Sequence, residues 1–304
     1  MGTSVQNQNI SSSSEDTLKT AMHVSRVSIV GNLVLSVGKL LAGIFASSSA
    51  MISDAIHSAS DVASTIVVMV GVHMAAKSAD EDHPYGHERM ECVASAILAM
   101  FLAVVGAEIG IEGVKKIYSG TYVTEELPGI MALAAAAVSI FLKEAMFWYT
   151  RAAAKRINSG ALMADAWHHR SDALSSVGAL IGIAFARHGF PVMDAVASVV
   201  ISLFIIKAAY DIMKDSIDKL VDRSAGDEVQ QRIREVVSAV PGVVGIDDLK
   251  TRLFGNMLYV DVEIAADGKL SLAEAHDIAE KVHDSVEQNV NHVKHCMVHV
   301  NPAD

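Results

Sequence analysis

The segment Asp54-Ala-Ile-His57-Ser-Ala-Ser-Asp61 returns later in the chain as Asp165-Ala-Trp-His168-His-Arg-Ser-Asp172. Both copies fit the pattern D-A-x-H-x-x-S-D, and both open into long apolar runs that are typical of membrane helices. Residues four apart lie on one face of a helix, so each copy presents a histidine beside an aspartate. Ionisable side chains are costly inside a membrane and mark functional sites there. If the two helices face each other, two imidazoles and two carboxylates surround one position, a ligand set that suits Zn²⁺.

The composition is that of a membrane protein. Of 304 residues 51% are hydrophobic, and the mean hydropathy of +0.35 is too high for an ordinary soluble chain of this length. The net charge of −11 argues against nucleic acid as a partner, because nucleic acid requires a basic face. The sequence contains no P-loop, nucleophile elbow or HExxH motif, so we expect neither an enzyme nor an organic cofactor.

Six apolar runs of membrane-spanning length follow a polar start. Residues 1–18 are predicted to be a disordered cytoplasmic tail. Residues 19–220 are predicted to form a transmembrane domain with helices at 21–46, 50–76, 88–117, 127–154, 159–187 and 191–217. Basic residues flank the loops after the second, fourth and sixth helices, so both termini should be cytoplasmic. We therefore expect an integral protein in contact with lipid, in a plasma membrane such as a bacterial inner membrane.

The chain changes character after Asp222. An amphipathic helix is predicted at 227–239, strands at 243–254 and 257–265, a helix at 271–288 and a last strand at 292–300. Ser271 and Glu274 have the spacing of a capping box. The fold class is thus an all-α bundle of six membrane helices. Residues 221–304 should add a cytoplasmic α+β domain with the ferredoxin-like order αββαβ.

The predicted membrane metal site has four members, which are His57, Asp61, His168 and Asp172. Hydrogen bonding between the helices is the simpler explanation for such residues, but the repeated spacing argues against it. Asp54 and Asp165 lie one turn before each histidine. They are additional ligands, part of a proton or hydration path, or the cytoplasmic or outer mouth of the site, and we favour the path.

Two further groups could bind metal outside the membrane. In the loop that begins at Asp80, Pro84 and Gly86 supply a turn that can bring Asp80, His83 and His87 together; a solvated acidic loop is the alternative. The second group lies on the strands and a helix of the last domain. Histidines are common on protein surfaces, so their presence there is explained equally well without a metal. These candidates are Asp247, Glu263, His276, His295 and His299.

On these residues and motifs, 20–302 resembles the cation diffusion facilitator family. The resemblance rests on the six helices, the HxxxD pairs on the second and fifth, the Asp-His-Pro-Tyr-Gly-His loop at 82–87 and the last domain. It implies a homodimeric exporter that exchanges cytoplasmic divalent metal for protons, with ions at the membrane and loop sites named above. It also implies a charge interlock between Arg89 and Asp222.

The resemblance further implies a metallochaperone-like dimerisation domain, which in zinc-binding members holds two ions. The chain matches that pattern at His276 and His299 and departs from it at Asp247, Glu263 and Asn301.

Ligand chemistry favours Zn²⁺ as the substrate, because the two neutral imidazoles and two carboxylates of the membrane site balance a divalent charge. The resemblance makes the same ion a candidate regulatory ligand of the cytoplasmic domain. Fe²⁺, Co²⁺ and Mn²⁺ are alternatives, although manganese sites prefer oxygen ligands. A membrane-anchored metal sensor or scaffold that binds without transport is the alternative of a different class. A site at bilayer depth argues against it, since a sensor does not need one.

Overall fold

The computed structural model describes residues 2–45, 49–120, 130–187 and 192–303. They form two compact units, of which the first is Ser11–Ser216 and the second consists mainly of the residues from Ile217 onward. The first unit is helical, and the second combines helices with a three-stranded sheet.

Six long helices occur among the described residues before the second unit. Their bounds are α1 Gly2–Phe45, α2 Ser49–Ala75, α3 Arg89–Ser119, α4 Ile130–Arg156, α5 Gly160–Arg187 and α6 Val192–Leu220. These bounds lie within a few residues of the predicted ones except at the amino terminus. There, α1 includes the polar residues from Gly2 onward that the sequence predicts to be a disordered tail. Extending a helix that apolar residues have nucleated costs less than starting one, which accounts for the difference.

Several of these helices carry apolar side chains on their outer surface. Within the described ranges, Asp16–Leu41 and Arg89–Ser119 are long and apolar enough to cross a membrane, judged by length and composition alone. Large exposed apolar side chains on α1, α3 and α6 include Val30, Val34, Leu41, Met100, Phe101, Val104, Leu203 and Phe204. Exposed apolar side chains in such number suit lipid contact better than water.

Close packing of α2, α3, α4 and α5 positions the centre of the first unit. At one crossing, a Cβ added to Gly71 of α2 would lie only 2.2 Å from the Cβ of Ala94 on α3. Small residues at such crossings let membrane helices approach closely, where lipid provides little hydrophobic drive for association. Because α2 and α5 also contact each other and both pack against α3, their polar faces come together.

The second unit has the predicted element order αββαβ. Its elements are α7 Asp227–Ser238, β1 Gly245–Phe254, β2 Met257–Asp267, α8 Leu272–Asn289 and β3 Val293–Ala303. Strand β2 is central, antiparallel to β1 and parallel to β3. The capping box is confirmed, because Ser271 N donates to Glu274 Oε2 at 2.8 Å and Glu274 N donates to Ser271 Oγ at 3.3 Å. Ile233 of α7 and Val282 of α8 are fully buried in the same core as Val262 of β2.

Candidate metal centre

Three of the four predicted membrane ligands converge. His168 Nε2 lies 3.4 Å from Asp61 Oδ1 and 4.0 Å from Asp172 Oδ2. One ligand atom from each of the three residues lies within 4.8 Å of the others, a spacing that one cation can bridge. The side chain of Asp61 is only 3% exposed, and those of Asp172 and His168 are 11% and 14% exposed. We call Asp61, His168 and Asp172 the triad.

The other two predicted residues of the α2 stripe are Asp54 and His57. Both belong to α2, but their side chains lie outside the described part of the structure. Their roles as access residue and fourth ligand therefore stay predictions.

A lysine from α4 enters the triad. Lys143 Nζ donates a hydrogen bond to Asp61 Oδ2 at 2.6 Å and another to Asp172 Oδ2 at 2.8 Å. Its side chain is 2% exposed. Two buried carboxylates require a cationic partner, and the ammonium group supplies half of the balancing charge. The sequence analysis missed this residue, although a lysine in the apolar part of α4 is a signal in itself.

Asp165 lies in a separate polar group next to the triad. Its carboxylate accepts a hydrogen bond from Thr65 Oγ1 at 3.2 Å and lies 3.6 Å from His169 Nε2. His169 Nε2 is also 3.4 Å from the hydroxyl oxygen of Ser28. Asp165 and His169 are both almost completely buried. Helix α5 thus places Asp165 among Thr65 and His169, one turn before His168.

A cavity of about 220 Å³ adjoins the triad. Asp61, Asp172 and Lys143 line it, as do Glu108 and Glu112 of α3. Serines from α2, α4 and α5 supply most of the remaining polar lining, so the cavity is suited to water and cations rather than to apolar ligands.

The predicted loop residues also come together. His83 Nδ1 lies 3.3 Å from Asp80 Oδ1, and His87 Nε2 lies 3.5 Å from Asp80 Oδ2. His87 Nδ1 donates to the carbonyl of Ser78 at 3.2 Å, which directs the lone pair of Nε2 toward Asp80. The hydrogen bond from Lys77 holds the pKa of Asp80 well below its usual range, so Asp80 is ionised at neutral pH. The loop therefore offers one carboxylate and two imidazoles to a cation.

The predicted cytoplasmic ligands fall into two groups. Asn301 Nδ2 donates to Asp247 Oδ2 at 2.9 Å and lies 3.4 Å from Glu263 Oε2. His276 and His299 line a cavity of about 500 Å³ together with Asn301. Among the residues the structure describes, no three of the five predicted candidates bring their donor atoms together. His276 instead lies 3.7 Å from Glu280 along its own helix.

A different cytoplasmic group does converge, on the buried carboxylate of Glu287. Glu287 Oε1 accepts from Cys296 N at 2.9 Å and lies 3.2 Å from His283 Nε2 and 3.5 Å from His295 Nδ1. His283 Nδ1 donates to the carbonyl of Cys296 at 2.6 Å. The sequence analysis missed His283 and Glu287. Their spacing of four on one helix was the available signal, but His295 joins them only through the packing of β3 against α8.

The predicted interlock residues lie at helix ends. Arg89 begins α3, and Asp222 follows α6 with a left-handed φ of 61°. They belong to different compact units, and their pairing stays a prediction.

Comparison with known proteins identifies the family of this chain. The profile of the cation efflux transmembrane domain matches residues 25–221, and that of the cation efflux protein cytoplasmic domain matches residues 225–303. The chain belongs to the cation diffusion facilitator family. Members of this family are membrane transporters, and the two profiles divide this facilitator close to the boundary between its two compact units.

Several relatives match over nearly the whole chain. An uncharacterized transporter of Methanocaldococcus jannaschii is 38% identical over 278 residues, covering 91% of this chain and 97% of that protein. The manganese efflux system protein MneP of Bacillus subtilis is 31% identical, with coverage of 92% and 95%. The magnetosome protein MamB of Magnetospira sp. is 32% identical, with coverage of 86% and 88%. A solved structure of the MamM carboxy-terminal domain is 30% identical over 25% of this chain and 98% of that one, with a TM-score of 0.25.

Proposed function

We propose that this facilitator exports a divalent metal ion from the cytoplasm and that the triad binds the ion in transit. The observation that carries the proposal is the convergence of Asp61, His168 and Asp172 in a buried position of the membrane domain. Two carboxylates at that depth are expensive unless a cation balances them, and a divalent ion balances both. His57 is the fourth ligand in this proposal, because its position in the sequence pattern matches that of His168.

Zn²⁺ is the first candidate for the substrate. Neutral imidazole and carboxylate ligands in a tetrahedral set are the usual environment of Zn²⁺ in proteins. Mn²⁺ is a second candidate, supported by the relative MneP, whose name describes manganese efflux. Fe²⁺ and Co²⁺ accept the same ligands, and ligand identity alone does not separate these metals.

The proposed orientation places both termini in the cytoplasm, so α2 runs inward from its first residue and α3 runs outward. Asp61 is 12 residues from the start of α2, or about 18 Å, whereas Glu112 is only 7 residues from the end of α3, or about 10 Å. The cavity that joins them therefore leads from the triad toward the outside. Asp165 lies one turn to the cytoplasmic side of His168 on α5 and is buried, which fits an outward-open conformation.

Protons are the proposed counter-ions. A metal ion binds only deprotonated histidine, so the arrival of protons from outside would weaken its binding and favour its release. The family resemblance supports the same exchange. Proteoliposomes that contain a pH-sensitive dye test it, because metal flux without opposite proton movement would reject the coupling.

The cytoplasmic domain is proposed to hold two copies of the chain together, as its family resemblance implies. Asp80, His83 and His87 are proposed as a loop site, and the groups around Asn301 and Glu287 as candidate regulatory sites. Light scattering of the protein in detergent tests the dimer. A chain truncated at residue 220 should dissociate at concentrations that leave the full chain dimeric, and an unchanged mass would count against this role.

Uptake by proteoliposomes across a panel of Zn²⁺, Mn²⁺, Fe²⁺ and Co²⁺ tests the export proposal. Flux should be saturable for at least one of these ions, and Asp172→Ala should abolish it. If the purified protein binds metal but moves none, the alternative of a membrane-anchored sensor replaces export. Wild-type flux in Asp172→Ala would remove the triad from the mechanism.

A further inference from the structure

The side chain of Lys143 occupies the place that a metal ion would need. Its ammonium nitrogen lies between Asp61 Oδ2 and Asp172 Oδ2, at 2.6 and 2.8 Å. An ion bound to both oxygens would lie about 2.0–2.2 Å from each of them. The two positions nearly coincide, so the carboxylates can hold the ammonium group or the ion, but not both.

Charge leads to the same conclusion. With the ammonium group in place, two carboxylates keep one net negative charge, which a single additional proton or nearby cation can compensate. With a divalent ion bound, the carboxylates are already neutralised, and an ammonium group at hydrogen-bonding distance would be repelled. Lys143 therefore has to move away when the ion binds.

The displaced ammonium group of Lys143 can move into the cavity next to the triad. Lys143 lines this cavity together with Glu108 and Glu112 of α3 and Ser139 of its own helix. The lysine side chain is flexible, and its ammonium group can turn about its stem into this polar space without leaving α4. The two carboxylates there compensate its charge even though Lys39 also lines the cavity, since together they match the two lysines.

We propose that Lys143 is a tethered counter-cation, which pairs with Asp61 and Asp172 in the ion-free protein and which the metal must displace. The inference rests on the proposed function for the identity of the ion. The pairing with Lys143 explains how the ion-free protein avoids two unpaired carboxylates at bilayer depth. It also explains how an ion held by two carboxylates can be released. The returning ammonium group replaces the departing ion.

Metal affinity distinguishes this role from that of a structural ion pair. Lys143→Gln removes the competing charge and keeps most of the side-chain length. Because the ion no longer has to break two charge-assisted hydrogen bonds, Zn²⁺ should bind about tenfold tighter or more. A structural ion pair predicts the opposite, since its loss would loosen the triad and weaken binding.

The experiment is a Zn²⁺ titration by calorimetry on the full chain in detergent. Lys207→Gln is the matched control, because Lys207 is exposed on α6 and pairs with Asp211. Tighter binding in Lys143→Gln that disappears when Asp172→Asn is added supports the proposal. Unchanged or weaker binding in a variant that elutes as a single folded species overturns it.

A second measurement uses the wild-type protein and does not depend on the folding of a variant. Lys143 should react faster with an acylating reagent in the presence of Zn²⁺ than without it, as measured by peptide mass spectrometry. Equal or slower labelling overturns the proposal.

Export is judged separately: if Lys143→Gln tightens binding but the wild type moves no metal, only the export proposal fails. If metal flux is present and affinity is unchanged, only the counter-cation proposal fails.

Discussion

Replacing Asp61 by asparagine should cause a large loss of metal transport while changing the shape of the side chain very little. Asp61 is 3% exposed, accepts a hydrogen bond from Lys143 at 2.6 Å and lies 3.4 Å from His168 Nε2. Asparagine has nearly the same volume, so the helices can keep their packing. The substitution removes one negative charge and one anionic metal ligand.

The expected loss follows from the strength of the missing contact. A hydrogen bond to a charged group contributes about 1.5–3 kcal/mol, and a metal–carboxylate contact at this depth should be at least as strong. Affinity for Zn²⁺ should therefore fall by at least about 10- to 150-fold. At a zinc concentration near the wild-type Kd, site occupancy and flux should fall to between about 20% and 1% of the wild-type values.

The assay is zinc uptake into proteoliposomes loaded with a zinc-sensitive dye, at equal protein content. Asp211→Asn is the control, because it makes the same substitution at an exposed ion pair on α6. Raising the zinc concentration should restore part of the flux in Asp61→Asn, whereas the control should rise only as wild type does, by at most about twofold. Flux in Asp61→Asn within twofold of wild type near the Kd would refute the reasoning.

Four further predictions concern parts outside the membrane helices. His87→Ala should weaken Zn²⁺ binding to the loop by about tenfold or more, measured by calorimetry. Because the pKa of Asp80 is lowered, its loop contacts, which NMR spectra can follow, should persist until the pH falls below about 4, and loss of these contacts at pH 5 would contradict this. Burial raises the pKa of the Cys296 thiol to about 12, so iodoacetamide at pH 8 should modify it only after unfolding; rapid modification of the folded protein would contradict this. Ser271→Ala should cost about 1 kcal/mol of capping and raise amide exchange about fivefold in the first turn of α8, and unchanged exchange would argue against the cap.

Local patterns in the sequence were sufficient for most of the fold. Hydropathy and periodicity predicted every helix and strand of the described chain to within a few residues, and the spacing of Ser271 and Glu274 predicted the observed capping box. The polar amino terminus was the exception, since composition does not tell how far a helix started elsewhere will extend. Hydropathy, periodicity and capping each depend on residues that lie close together in the sequence, so the sequence alone is enough to predict them.

The metal centre was only partly accessible from the sequence. The HxxxD pattern predicted that Asp61 and Asp172 each lie on a helix stripe, but not that Lys143 of a third helix would enter between them. Likewise, α8 alone showed His283 and Glu287 four residues apart, but His295 reaches them only through the position of β3. Contacts between elements depend on helix rotation and strand register, which a single sequence does not specify.

Anomalous X-ray scattering from crystals of the full chain soaked with Zn²⁺ is the most direct test of the central claim. A peak should lie about 2.0–2.2 Å from ligand atoms of Asp61, His168 and Asp172, with the Lys143 ammonium group moved away from both carboxylates. Strong zinc peaks elsewhere in the molecule, together with none at the triad and an unmoved Lys143, would contradict the account.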